Sequence, residues 1–459
     1  MYQIDFHKPI RIYFIGIGGI SMSGLAEILL AEDFTVSGSD RAPSELTRML
    51  EERGVKVFYG QKEENLTDDI DLVVYTAAIK SDNPELVAAR KLNIPTLTRA
   101  ELLGQMMKNY KTPIAVSGTH GKTTTTSMIS QILLNAGTDP TLSIGGIYQP
   151  IGGNIRVGAS ELFVTEACEY TNSFLSFFPK IGIILNIEED HLDFFKDLAD
   201  IRSSFHRFAL LCPKDGALII NGDIERCEEL TEGLSCRVIT YGLTSDSDYT
   251  ASQITYDEAG FPSFSLRDRE GRERRFSLRV HGDHNILNAL AAIALADLLG
   301  LSDEVIHTGL LAFTGTDRRF EYKGQVNGVN IIDDYAHHPT EIRATLNAAQ
   351  QYPHKRLWCV FQPHTYTRTK AFLEEFASAL SLADEIVLAD IYAAREKDTL
   401  GISSETLQEK IRSLGHSCQY FPSFEAIENY LLKNCTKDDL LITMGAGDVV
   451  KVGENLLQK

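Results

Sequence analysis

The sequence predicts an α/β protein of three parallel-sheet units, on three observations. Short apolar runs alternate with helix-period segments along nearly all of its 459 residues. Two glycine loops, "GIGGIS" at 16–21 and "GTHGKT" at 118–123, each stand between an apolar strand and a helix, an arrangement that gathers backbone N–H groups around an anion. A chain of this length also exceeds one hydrophobic core and calls for roughly two to four domains.

The elements follow in order. "RIYFIG" reads as a strand, "SMSGLAEILLAE" as a helix and "FTVSGSD" as a second strand. "ELTRMLEERG" is a helix ended by Gly54, "LVVYTAAI" a buried strand, and "NPELVAARKL" a helix before Pro95. These make a Rossmann-like unit over residues 1–106. The pattern restarts with the strand "PIAVSG" and a helix from Lys122 to the stop at Gly137. "LFVTEA", "IGIILNI" and "GALIING" continue it as further strands. Residues 247–280 turn polar and alternating, which predicts an antiparallel patch before the helix "NILNALAAIALADLL". The central unit therefore spans 107–316. A third, Rossmann-like unit over 317–459 alternates the strands "GVNIIDD", "RLWCVFQ", "EIVLADI" and "DLLITMGAG" with four amphipathic helices.

Composition excludes several classes. The net charge of −19 repels phosphate backbones, which argues against nucleic acid or an anionic membrane surface as partner. No apolar run is long enough to span a bilayer, and the N-terminus lacks a signal peptide's pattern. The seven cysteines contain no C-x-x-C pair, so reduced thiols in a cytoplasmic protein are expected.

The central loop departs from the common phosphate-loop pattern, which would require glycine where Val116 stands. Its first glycine is Gly118, two residues later. Gly118 and Gly121 still permit close backbone approach, Lys122 adds a charge, and Thr123 offers a hydroxyl suited to Mg²⁺. The first loop approaches G-x-G-x-x-G but ends in Ser21, with Asp40 at the end of the next strand. Alone it suits a dinucleotide, whereas two phosphate loops in two units suit two different phosphorylated ligands.

Other constellations stay open on their residues alone. Glu166, at a strand end and followed by Glu169, is either a Mg²⁺ ligand or a solvated acid. Asp190, His191 and Asp193 form either a metal site or an exposed loop. Asn285 and Asn288 share a helix face suited to a base or ribose, or else serve capping with Asp283. Arg318 and Arg319 open the third unit, where an arginine closing on a triphosphate belongs. Asp333, Asp334, His337 and His338 lie between a strand and a proline-started helix. His364, Arg368 and Lys370 follow a strand, placing cations at the unfavourable start of a helix, where a carboxylate would be clamped.

In this order, "GIGGISMSGLA", "SGSD", "TAAIKSDNPE", "GTHGKTTTT", "EACEY", "NIEEDHLDFF", "HNILNALAA", "GTDRRFE", "DDYAHHPTE" and "FQPHTYTRTK" make the chain resemble the Mur ligase family over essentially its full length. Within that family it resembles the branch that joins L-alanine to UDP-N-acetylmuramate in peptidoglycan synthesis. The resemblance implies a UDP-sugar domain, a central ATPase and an amino-acid domain. It implies that Gly18, Gly19 and Ser21 approach the UDP diphosphate, with Asp40, Thr76, Ala77, Ala78 and Ile79 near the uridine. ATP would lie on Gly118, Thr119, His120, Gly121, Lys122, Thr123 and Thr124, with Asn288 at adenine, Arg319 at the γ-phosphate and Asp334 at the ribose. Thr123 and Glu166 would hold one Mg²⁺ and His191 a second. His337, His364 and Arg368 would face the amino acid, and Lys122, His191, Arg319 and His337 would be catalytic.

Two departures qualify the resemblance. Sister ligases carry a carbamylated lysine near the position of Phe205, which the alanine-adding branch also lacks. Cys168 and Thr365 stand where many members have aspartate and arginine. The competing expectations are a murein-recycling ligase that adds a peptide to the same UDP-sugar, a nicotinamide-dependent oxidoreductase, and a phosphate-loop ATPase acting as a switch.

Overall fold

A computed structural model describes the chain from residue 2 to 458, apart from residues 77, 245 and 395. The first sheet has five parallel strands in the order Lys56–Tyr59, Thr35–Asp40, Arg11–Ile15, Leu72–Tyr75, Thr96–Thr98. Connections run outward on both sides of Arg11–Ile15, so a crevice opens beyond its carboxyl end, between it and Leu72–Tyr75. The first glycine loop and Thr76 occupy that crevice. The strand expected through Ile79 stops at Tyr75, because Ile79 N–H turns back to the Thr76 carbonyl.

The central sheet has ten strands. Thr112–Ser117 lies in its parallel part, between Leu162–Ala167 and Ile181–Ile184. The second glycine loop therefore emerges between the strand carrying Glu166 and the segment leading to Asp190. The expected antiparallel patch is formed by Tyr249–Tyr256, Pro262–Arg267 and Glu273–Ser277. A hairpin of Thr141–Tyr148 and Gly153–Arg156 closes the other edge.

The third sheet has six strands, with Glu321–Val326 antiparallel at one edge and the rest parallel. Six helices accompany it among the described residues, rather than four. The segment expected as one helix after His364 divides at Phe372 into Tyr366–Ala371 and Leu373–Leu380. In the six-residue helix Arg368 is the third residue from the start, as expected, yet it and Lys370 also fall in the last turn, where cations suit the dipole.

One apolar core runs unbroken from the first sheet into the second, joining Leu25, Phe34 and Met106 to Phe163, Phe174 and Phe205. Helix Arg99–Met107 lies in this seam. Its Gly104 admits no side chain, since a Cβ would come 1.9 Å from the Ser176 carbonyl oxygen. Gly24 likewise makes room for Ile155 of the central hairpin. The third sheet has separate cores on its two faces. No helix of the described residues is long and apolar enough to cross a membrane.

Candidate active site

The central loop is shaped by its glycines and braced from the neighbouring strand. Gly121 has φ +82°, and a Cβ there would meet Asn288 Oδ1 at 2.8 Å. The short loop thus presses directly on helix His284–Leu298. His120 N–H donates to Asn186 Oδ1 at 2.8 Å, and Asn186 Nδ2 returns a bond to the His120 carbonyl at 3.0 Å. Lys122 donates to the Gly118 and Thr119 carbonyls and pairs with Glu169 Oε2 at 3.0 Å. Burial opposes its charge, but Glu169 holds the lysine protonated.

Glu169, a neighbour of Glu166 to which the sequence assigned no role, is buried between Lys122 and His191 Nε2, the latter 3.6 Å away. Burial would raise its pKa, yet Lys122 and His191 bring it below the usual value. Glu166 accepts Thr123 Oγ1–H at 3.1 Å and Gly145 N–H at 2.5 Å. Burial nevertheless pushes Glu166 up, so it is a carboxylate short of positive charge. A hard divalent cation between Thr123 and Glu166 would supply that charge with oxygen ligands, and the donor set fits Mg²⁺.

A relay of contacts continues from His191 into the third unit. Asp190 accepts Arg368 Nη2–H at 2.8 Å and Nε–H at 3.2 Å, and Arg368 Nη1 lies 3.1 Å from His364 Nδ1. The His364 and His337 rings are 5.6 Å apart, and burial lowers both pKa values to about 4. His337 N–H donates to Glu341 Oε2 at 3.0 Å, and Glu341 Oε1 reaches back to His120 Nδ1 at 3.1 Å. Sequence reasoning missed Glu341. As the third helical residue after His338 it reads as an ordinary capping acid, and it does complete that capping box.

Between the central and third units lies a cavity of ≈ 860 Å³, within the size range of small-molecule sites. His120, Gly121, Thr124, Asn288, Arg319 and Asp334 all line it, with Phe261 and Phe320 among its apolar walls. Asn288 donates to Asn285 Oδ1 and Asn285 to the His281 carbonyl, while Asp283 makes no side-chain cap. These asparagines are therefore ordered against one another and do not serve the helix end. Asp334 accepts the N–H groups of Phe320 and Ala336, and burial raises it to about 6 despite Arg319 nearby.

The adjacent arginines have different environments. Arg318 bonds Asp333 Oδ2 at 2.9 Å and the Gly445 carbonyl at 2.7 Å. Arg319 lies over the Tyr335 ring at 5.1 Å, and among the described residues its guanidinium makes no hydrogen bond or ion pair. His120, Glu188 and His338 also cluster within 4.8 Å. Both nitrogens of His338 are occupied, however, by the Glu189 carbonyl and the Thr340 N–H, so the trio acts as an interdomain contact.

In the first unit, Gly18 N–H donates to Asp40 Oδ2 at 2.8 Å, and a Cβ on Gly18 would strike the same oxygen. Asp40 thereby braces the glycine loop. Gly19 caps helix Ile20–Ala31, and Ser21 accepts Arg99 Nη1–H at 3.1 Å. Thr76 stands beside the loop, and the N–H groups of Ala78 and Ile79 turn back onto Thr76. Ala77 lies outside the described residues. The two glycine loops thus lie in separate units, joined by the seam that helix Arg99–Met107 occupies.

This architecture is that of a three-domain ligase, and comparison with known proteins agrees. The "Mur ligase family, catalytic domain" model matches residues 11–111, the "Mur ligase middle domain" 116–296, and the "Mur ligase, glutamate ligase domain" 318–447. The chain belongs to the Mur ligase family. It is 62% identical over 459 residues to the UDP-N-acetylmuramate–L-alanine ligase of Agathobacter rectalis, covering 100% of both chains. Identity to the enzyme of the same name from Lachnospira eligens is 60%, again over 100% of both. Among solved structures, the UDP-N-acetylmuramate-alanine ligase of Thermotoga maritima superposes with a TM-score of 0.81 at 30% identity, covering 98% of each chain. A murein peptide ligase from Psychrobacter arcticus gives 0.72 at 26% identity, also over 98% of each.

Proposed function

We propose that the chain is the ATP-dependent ligase that joins L-alanine to the carboxylate of UDP-N-acetylmuramate. One observation carries this reading: the loop holding Lys122 and Thr123 borders the cavity lined by Asn288, Arg319 and Asp334, with the relay to His337 alongside. Full-length relatives at 60–62% identity bearing that activity in their names support it. ATP occupies the cavity, its phosphates on residues 118–124, its adenine by Asn288 and its ribose by Asp334. Gly18, Gly19, Ser21, Asp40 and residues 76–79 hold the UDP-sugar. The domains run over 1–106, 107–316 and 317–459, and the protein works in the cytoplasm.

The reaction brings a carboxylate anion to a triphosphate, so like charge is its main obstacle. Lys122 and Arg319 supply fixed positive charge where the γ-phosphoryl group is transferred, and positioning does the rest. Thr123 and Glu166 hold one Mg²⁺ and His191 borders a second, which add counter-charge when bound. Transfer leaves an acyl phosphate, which the amine of L-alanine attacks with release of phosphate. His337 donates Nδ1–H to the Tyr335 carbonyl at 3.0 Å. Its Nε2 is then free, in a ring neutral at pH 7, to take the amine's proton. His364 shares Nδ1 with Arg368 and so presents Nε2–H to the amino acid's carboxylate.

The test is phosphate release from ATP against a panel of L-alanine, glycine, L-serine and the muramyl tripeptide, with and without UDP-N-acetylmuramate. Release needs both the UDP-sugar and L-alanine. Full activity with tripeptide and none with alanine would defeat the proposal, as would release with neither substrate.

A further inference from the structure

Arg99 is a cation in a costly place. It is the first residue of helix Arg99–Met107, at the positive end of that dipole. It is also partly buried in the seam between the first and central units, and burial lowers its pKa. Among the described residues no carboxylate lies within ion-pair distance of it. The acid nearest in sequence on its helix, Glu101, is turned back onto the Thr98 N–H and hydroxyl at 2.7 and 2.9 Å. The side-chain bond that Arg99 does make, from Nη1 to Ser21 Oγ at 3.1 Å, brings it to the mouth of the first glycine loop. There the N-terminus of the 12-residue helix Ile20–Ala31 opens behind Gly18 and Gly19.

A guanidinium has five donors in a planar fork. One bond to a hydroxyl does not offset removing it from water, whereas the half-buried cations Lys122, Arg318 and Arg368 each face a carboxylate. The missing charge is an anion from outside the chain, located where Arg99 and the helix N-terminus converge. We propose that Arg99 is a substrate-binding residue that grips the diphosphate of the nucleoside-diphosphate sugar held by the first glycine loop. The inference rests on the reading of the first unit as a UDP-sugar site and adds the side chain that neutralises the ligand. That side chain also interacts electrostatically with Cys168, next in sequence to the Glu169 that holds Lys122. The diphosphate is thereby fixed at the seam leading to the phosphoryl-transfer loop.

Calorimetric titration of the full chain with UDP, UDP-N-acetylmuramate and ADP tests this. In Arg99→Gln, UDP and UDP-N-acetylmuramate should both bind about 10- to 100-fold more weakly, while ADP stays within about twofold of wild type. The ligand-free variant should melt no lower than wild type, because it loses an uncompensated cation. Unchanged UDP affinity would overturn the proposal. So would weakening confined to UDP-N-acetylmuramate, which would assign the guanidinium to the muramoyl carboxylate. A lower melting temperature with ADP affinity also lost, or failure to fold, would make Arg99 structural and equally overturn it. Wild type that binds no UDP would instead defeat the reading of the first unit, leaving the two failures distinct.

Discussion

Arg368 holds Asp190 through two of its nitrogens, at 2.8 and 3.2 Å, although 178 positions separate the residues in the chain. This pair ties the third unit to the segment carrying His191, through an arginine that the family resemblance places near the amino acid. Arg368 holds the Asp190 carboxyl well below its usual range against the opposing effect of burial. Asp190→Asn should therefore loosen the closed arrangement. We expect kcat to fall about tenfold or more, with a larger radius of gyration by small-angle scattering in the presence of substrates. Unchanged scattering and turnover would show that the pair does not govern closure.

Lys122 and Glu169 form a buried pair, and removing one partner leaves the other uncompensated. Lys122→Met should abolish turnover and destabilise by about 3–5 kcal/mol, whereas adding Glu169→Gln should restore much of the stability without restoring turnover. Binding of UDP-N-acetylmuramate to the first unit should persist in both variants. Chemical denaturation and calorimetry separate these outcomes.

The neighbouring arginines should fail in different ways. Arg319→Ala should reduce kcat by about 10²- to 10³-fold at near-native stability, because its guanidinium is free to meet developing phosphoryl charge. Arg318→Ala should instead lower stability by about 3 kcal/mol, since it strands fully buried Asp333. Steady-state phosphate release and urea melts on the two variants check the contrast.

His120 gives a pH signature. Burial opposes its charge, but Glu341 and Glu188 raise its pKa to about 9, with the His338 ring packed 4.7 Å away. A folded pKa above the unfolded value means that its stabilisation is complete below about pH 6.5 and is lost as pH rises through about 9. The melting-temperature advantage of wild type over His120→Gln should therefore be present at about pH 6 and absent by about pH 10. A constant difference across that range would contradict the assignment.

Glu166 and Thr123 should set the metal requirement. Glu166→Gln should demand at least about tenfold more Mg²⁺ for half-maximal phosphate release, because a carboxylate ligand is lost. An unchanged Mg²⁺ dependence would remove Glu166 from the metal site.

The long buried strands were legible because their apolar runs are local. The strands that escaped notice are short or half-exposed. Thr96–Thr98 and Cys418–Tyr420 have three residues each, and Glu321–Val326 has no fully buried position. The hairpin Thr141–Tyr148 and Gly153–Arg156 is interrupted by glycines that disguise its period.

The same division holds at the site. The two glycine loops, the acids at strand ends and the order of motifs are properties of contiguous residues, and they determined the family and its pair of phosphorylated ligands. Tertiary structure alone decided that Arg318 is structural, that Glu341 joins His120 across 221 positions, and that among the described residues the Arg319 guanidinium is free and Arg99 has no counter-ion. Such roles depend on which charge faces which in a desolvated space. A linear sequence records the charges, but only folding removes the water and sets the distances between them.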